Sequence, residues 1–128
     1  MIKLVFCLRR RPDMTAEAFQ QYWRGTHAAL VEARAGTLGI RRYVQSHTAD
    51  LPGLHRSLQQ RNGGAPAPFD GVAELWFDSL ESIRSDDPAR RKAADELLAD
   101  ERNFIDLPNS PMWFATEHVI VDKAAGRS

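Results

Sequence analysis

The segment VAELWFD, from Val72 to Asp78, decides how this chain of 128 residues folds. Its side chains alternate between two rows, and a period of two is typical of a β-strand whose faces differ. Ala73, Leu75 and Phe77 form an apolar row that is suited to packing under helices. The other row mixes an acid with two apolar side chains: Val72, Glu74 and Trp76. The segment therefore predicts a strand in a sheet that buries one face.

Three further segments predict strands. Residues 1–8, MIKLVFCL, are apolar and rich in strand-forming residues, and the turn signal RRRPDM follows them. Residues 40–47, IRRYVQSH, alternate and contain Tyr and Val. The last strand is predicted over MWFATEHVIV, residues 112–121.

Two helical regions separate these strands. Thr15 is placed to cap a helix that should run to about Arg34 and end near Gly36. A second, broken helical segment is predicted over residues 79–103. Its start signals are a capping box and a first-turn proline: Asp78 with Glu81, and Pro88 after Asp87.

The resulting order, βαβ–loop–βαβ, predicts a single α+β domain over residues 1–128, with a ferredoxin-like fold. Its four-stranded antiparallel sheet carries both helices on one face. The connection over residues 48–70 holds most of the Pro and Gly and is expected to be a lid or an idle insertion, with a helical turn in its middle. Residues 122–128 are predicted to form a frayed tail.

The face without helices should carry polar and aromatic side chains. Strand parity puts Tyr43, Gln45 and His47 in one row of the second strand. Together with Glu74 and Trp76, this row suits a half-polar cavity that a second copy of the sheet closes. We therefore expect a homodimer.

Charge and composition exclude several classes of function. The chain has 17 basic and 17 acidic residues, and this balance argues against nucleic-acid and membrane-surface binding. Cys7 is the only cysteine, so neither an internal disulfide nor a cysteine zinc site is expected. The short apolar start is followed by arginines, the wrong order for a secretion signal, and a cytoplasmic protein is expected.

A histidine interrupts the first helix in the stretch YWRGTHAALV, from Tyr22 to Val31. The apolar stripe of a regular helix would comprise Phe19, Trp23, Thr26 and Leu30. His27 would then lie roughly 60–80° from the centre of that stripe. Such a position fits either a boundary histidine or a functional one, and spacing alone leaves both open.

Nearly the whole chain resembles the EthD-type family of dimeric α/β barrels. The strongest pieces are the Tyr-Trp-three-residues-His segment and the segment DGVAELWF; residues 48–68 match least. Some members of that family are cofactor-independent polyketide cyclases, decarboxylases or dehydratases, and others have no assigned reaction. The resemblance implies His27 as an active-site residue and makes Tyr43, His47, Glu74 and Trp76 cavity wall.

This chemistry needs a base that titrates near neutrality and a donor for a developing enolate. Histidine supplies the base, with a protonated histidine, Tyr43 or Gln45 as donor and Trp76 as an apolar wall. We therefore expect His27, His47 and Glu74 to be catalytic, with no metal and no cofactor. The expected substrate-binding residues are Tyr43, Gln45, Trp76, His118 and Trp23. Parity does not decide whether Glu117 or His118 faces the cavity.

The predicted function is that of a cofactor-free lyase or cyclase acting on a carbonyl-rich polyketide-like or aromatic molecule. Two alternatives stay open. One is a haem- or quinol-type monooxygenase of the barrel superfamily, in which His27, His47 or His118 could be an axial ligand. The other is a non-catalytic protein that binds a hydrophobic metabolite.

Overall fold

A computed structural model describes residues 1–124 of the chain. Its sheet is antiparallel and four-stranded, with the order β2-β3-β1-β4, which confirms the predicted α+β arrangement. The strands are β1 (Ile2–Leu8), β2 (Arg42–His47), β3 (Gly71–Phe77) and β4 (Met112–Ala115). Most of the predicted tail lies outside the described residues.

The first helical region contains one wide turn. α1 (Ala16–Tyr22) passes through a π-helical turn (Trp23–His27) into α2 (Ala28–Leu38). The Thr15 side chain caps α1 by accepting a hydrogen bond from the Ala18 N–H, as predicted. The region ends at Gly39, whose φ of 76° is left-handed, and not at Gly36.

The wide turn changes which side chains face the sheet. A π turn bonds residue i to i+5 and so holds one residue more than an α turn. After Trp23, the buried positions are therefore His27 and Val31, while Thr26 is exposed. The predicted apolar stripe through Thr26 and Leu30 is therefore wrong by one residue. His27 is buried between helix and sheet, and does not lie at the edge of the apolar stripe as predicted.

The remaining helices are close to the predicted positions, with differences at their starts. Ser79, and not Asp78, caps α4 (Leu80–Ile83), because its Oγ accepts a hydrogen bond from the Ser82 N–H. Asp87 caps α5, with proline in the first turn. The connection over residues 48–70 holds a ten-residue helix where one turn was expected. The other helical bounds are α3 (Pro52–Arg61), α5 (Pro88–Glu101) and a 3₁₀ turn (Leu107–Asn109).

The polar row of β2 faces the helices, and not the bare face. In the pairing of β2 with β3, three residue pairs share the helix side: Tyr43 with Leu75, Gln45 with Ala73, and His47 with Gly71. Glu74 and Trp76 lie on the opposite, bare face. The predicted common row of these five polar and aromatic residues is therefore wrong, because register decides which rows of neighbouring strands share a face.

β4 is shorter than predicted and ends at Ala115 instead of at residue 121. Ala115 pairs with Lys3, and β1 begins at Ile2. Residues after Ala115 therefore have almost no β1 residue left with which to pair. Glu117 and His118 consequently follow the strand, and strand parity does not apply to them. No helix of residues 1–124 has the length and apolarity that a membrane span requires.

The core lies between the helices and the sheet, with Trp23 at its centre. The Trp23 side chain is 1% exposed, and its ring contacts that of Phe19 at a centroid distance of 5.6 Å. Its six-membered ring lies against Gly71, where an added Cβ would be 2.3 Å from Cζ3. Only glycine at this position of β3 leaves room for the indole. Other buried members of this cluster are Phe6, Leu8, Ala73, Phe104 and Ile105.

Candidate functional site

A cavity of about 410 Å³ lies between the helices and the sheet. Its walls are mainly apolar side chains from β1, β3, α2 and α5. Besides the indole of Trp23, the polar groups in the wall belong to His27, Tyr43, Arg90 and Glu101. A concave, largely apolar space with a few converging polar groups is the usual form of a small-molecule site.

His27 is held by a carboxylate on α5. Its Nδ1 lies 2.7 Å from Oδ2 of Asp100, and the hydroxyl of Tyr22 donates to Oδ1 of Asp100 at 2.6 Å. Asn103 also donates to Oδ1, at 3.3 Å. Because an ionised carboxylate only accepts hydrogen bonds, Nδ1 carries the proton and Nε2 keeps its lone pair.

This arrangement leaves His27 neutral with one free ring nitrogen. Burial lowers the pKa of His27 below its usual value, while Asp100 acts in the opposite direction. Burial by itself would raise the pKa of Asp100, but hydrogen bonds from Tyr22 and His27 outweigh it and the pKa is lowered. Within residues 1–124, Nε2 makes no hydrogen bond. It is therefore the atom of this histidine that can take a proton from a ligand in the cavity.

Glu101 follows Asp100 and lines the cavity itself. Burial, with a smaller contribution from the neighbouring charge of Asp100, raises the pKa of Glu101 to about 7, although Arg102 partly offsets the shift. A carboxyl group with this pKa is partly protonated at neutral pH and can act as an acid or as a base.

The polar row of β2 forms a chain of hydrogen bonds beside the wide turn. The amide of Gln45 donates to the Tyr43 hydroxyl at 2.8 Å and to the Trp23 carbonyl at 2.9 Å. Burial raises the pKa of Tyr43, so its hydroxyl stays protonated and can donate into the cavity. The ring of His47 stacks on Trp23 at 4.3 Å, and its Nε2 lies 2.8 Å from Oε1 of Gln45. His47 supports this row but does not line the cavity.

The comparisons with known proteins identify the family. The model of the EthD domain matches residues 11–108 of the chain. The chain belongs to the EthD family. A crystal structure of an ethyl tert-butyl ether D (EthD) family protein from Bacillus halodurans C-125 is similar, with 20% identity, a TM-score of 0.58, and coverage of 92% of this chain and 99% of that one.

Two further solved structures support the fold. An EthD-like protein from Ralstonia eutropha JMP134 has 20% identity and a TM-score of 0.57, with 96% of this chain and 95% of that chain covered. A protein from Bacteroides fragilis NCTC 9343, described as dimeric, of unknown function and ferredoxin-like, has 13% identity and a TM-score of 0.54, with 89% and 93% covered. These likenesses show a ferredoxin-like fold. No curated protein matches the chain significantly.

Three of the predicted site residues of this EthD protein lie away from the cavity. Glu74 is on the bare face, where Lys3 donates to its Oε2 at 2.6 Å. Trp76 is also on that face, with the guanidinium of Arg42 stacked 4.5 Å from its ring. His118 follows β4 on an exposed segment. The structure thus brings His27, Tyr43 and Trp23 together at the cavity, with Gln45 and His47 directly behind them.

Two acidic residues of the candidate site, Asp100 and Glu101, were not predicted from the sequence. They occupy the last turn of α5, which contains no basic residue. Carboxylates are unfavourable at a helix C-terminus, because the helix dipole is negative there. An acidic pair at the C-terminus of a predicted helix was therefore a sequence signal that Asp100 and Glu101 have a role other than stabilising the helix. Among residues 1–124, no group of three or more potential metal ligands is close enough to hold an ion.

Glu101→Gln is expected to flatten the pH dependence of stability of the EthD domain. The native state keeps the Glu101 proton up to a pKa of about 7, whereas the unfolded chain loses it near 4.5. The native state therefore binds more protons across this interval, and its stability falls as pH rises through it. The difference between the two pKa values of Glu101 corresponds to roughly 3 kcal/mol of unfolding free energy. The parent should lose this free energy as pH rises above the upper pKa, and the variant should not.

Urea denaturation at several pH values measures this effect. Glu96→Gln is the matched control, since Glu96 lies on the same helix and pairs with Arg34 at the surface. Parallel stability curves for the parent and Glu101→Gln would show that Glu101 titrates normally.

Proposed function

We propose that the protein is a cofactor-independent lyase or cyclase that acts on a carbonyl-rich aromatic or polyketide-like molecule in the cavity between sheet and helices. The observation that carries the proposal is the neutral His27, held through Nδ1 by Asp100, beside a glutamate with a pKa of about 7. A base and an acid are thus available in one largely apolar space.

The chemistry follows from these positions. Nε2 of His27 takes a proton from a carbon next to a carbonyl, and the electron pair moves onto the carbonyl oxygen. The Tyr43 hydroxyl, whose oxygen already accepts from Gln45, donates a hydrogen bond to that oxygen. The enolate then either expels a β-hydroxyl, which leaves as water with a proton from Glu101, or attacks a second carbonyl and closes a ring while Glu101 gives its proton to the new alkoxide. The proton held by His27 then passes to Glu101 through solvent, which restores both groups.

Proton exchange in D₂O tests the proposal without knowledge of the natural substrate. Aryl β-hydroxy ketones and short linear polyketide mimics would be followed by ¹H NMR for exchange beside the carbonyl, for dehydration and for cyclisation. We expect exchange above the uncatalysed rate, with a bell-shaped pH profile that reflects His27 and Glu101. Binding without exchange would favour a metabolite-binding protein, and consumption of O₂ with oxygenated product would favour a monooxygenase.

We also propose that two copies pair through the bare face of the sheet. This face and the adjoining edge carry exposed large apolar side chains, among them Trp113, which is 46% exposed, and Ile120, which is 87% exposed. Trp113 lies on the bare face itself, because it pairs with Val5, which pairs with Glu74. Monomers rarely leave large apolar patches open to solvent. The other exposed apolar side chains near this edge are Met112, Phe114, Val119 and Val121.

Trp113→Lys is expected to convert the dimer to a monomer, because the ammonium group would be buried without a partner. Sedimentation velocity at micromolar concentration measures the change. Leu54→Lys, at a 56% exposed position on α3, is the control and should stay dimeric. A monomeric parent protein would contradict the proposed pairing.

A further inference from the structure

The cavity contains a cation at the end remote from His27. Arg90 lines this end, is partly buried, and uses one guanidinium nitrogen to donate to the Ile83 carbonyl at 3.0 Å. Among the residues that the structure describes, no carboxylate lies within ion-pair distance of Arg90. A guanidinium has five N–H donors, so most of its capacity remains for a ligand.

The two ends of the cavity differ in charge. Arg90 and Glu101 lie on the same helix, eleven residues apart by number. At 1.5 Å per residue this separation is roughly 16 Å along the axis. Glu101 lines one end, where Asp100 also lies behind His27, so this end is acidic. Arg90 lines the other end and gives it a positive charge. Apolar side chains of α2, α5 and β3 line the space between them.

We infer that the cavity takes an elongated, mainly apolar ligand that bears a carboxylate, and that Arg90 binds this carboxylate while the reacting carbonyl lies at His27. The inference rests on the proposed function for the reacting end, and Arg90 is the residue that orients the molecule. A guanidinium pairs with a carboxylate through two parallel hydrogen bonds, so it fixes direction as well as charge. The acidic end repels the same carboxylate and so disfavours the reversed orientation.

Equilibrium binding of a matched pair of probes tests this inference. The probes are 2-naphthoate and its neutral isostere 2-naphthamide, measured by calorimetry at about pH 8, where a glutamate with a raised pKa is largely ionised. The parent protein should bind the naphthoate at least about 10-fold more tightly. Arg90→Met should abolish this preference and leave binding of the amide unchanged within about 2-fold.

Two variants act as controls. Arg90→Lys keeps the charge and should retain part of the preference, which separates loss of the cation from a local packing change. Arg91→Met removes the neighbouring arginine, which is exposed and pairs with Asp86, and should behave like the parent. Equal affinities of the parent for the two probes, or an unchanged preference in Arg90→Met, would overturn the inference.

Binding and turnover separate this inference from the proposed function. Absence of proton exchange in the parent, with its preference for the naphthoate intact, would contradict the catalytic proposal alone. Proton exchange by the parent without any preference for the naphthoate would contradict the role of Arg90 alone.

Discussion

His27→Gln is expected to lower the rate of proton exchange and turnover by about 10²–10⁴-fold, the typical contribution of a general acid or base. Glutamine can still donate to Asp100, but it has no lone-pair nitrogen that titrates near neutrality. The loss should appear in kcat more than in KM, because the base acts mainly in the transition state. The D₂O exchange assay measures it on the same ketones.

His47→Gln is the matched control for this variant. His47 is also on the helix side, but it stacks on Trp23 and does not line the cavity. Its replacement should change the rate by less than about 10-fold, since it removes no group in contact with the reacting atoms. If His47→Gln lost as much activity as His27→Gln, or if His27→Gln stayed active, the assignment of the base would be wrong.

His27→Gln should also destabilise the fold, which a histidine on the helix flank would not do. His27 is 5% exposed, and its ring lies 4.9 Å from that of Phe104. Imperfect replacement of the hydrogen bond to Asp100 should cost roughly 1–3 kcal/mol. Activity must therefore be compared per folded molecule, with circular dichroism as the check.

Trp23→Ala is expected to reduce the free energy of unfolding by roughly 3–5 kcal/mol. The indole is 1% exposed and fills the space between α1 and β3 against Gly71. The cavity already adjoins this side chain, so neighbouring residues cannot easily close the void that its removal leaves.

Urea denaturation at fixed protein concentration measures this loss. Trp23→Phe retains a ring and should lose clearly less stability than Trp23→Ala. A loss below about 1 kcal/mol for Trp23→Ala would show that the indole contributes little to the core.

The strand pattern and the capping residues predicted most of the fold. The alternation in β3 is strong because one row is wholly apolar, and Thr15 and Pro88 mark helix starts by local chemistry that needs no tertiary information. β2 has no wholly apolar row, since Tyr43, Gln45 and His47 form a polar row on its helix side. Alternation alone therefore did not indicate which of its rows lies under the helices.

The candidate site was predicted only in part for the same kind of reason. His27 was selected by a resemblance, and its burial depends on a π turn that regular helical spacing does not anticipate. Asp100 and Glu101 lie in a helix rich in charged residues, where most carboxylates are solvated. Their role appears only once α5 packs beside the wide turn, which is a tertiary contact between residues 73 positions apart.

The wide turn has the form of a single-residue insertion in an otherwise regular helix. The buried side chains Phe19, Trp23, His27 and Val31 follow at steps of four, which would drift by about 40° each in a straight α-helix. Without Gly25, the same side chains would follow at steps of four, three and four, the spacing of an ordinary buried stripe. Gly25 is exposed, and an added Cβ there would meet nothing within 4 Å. A deletion at this point of the chain would therefore restore a straight helix while keeping the inward direction of the histidine, so length variation here is compatible with an intact site.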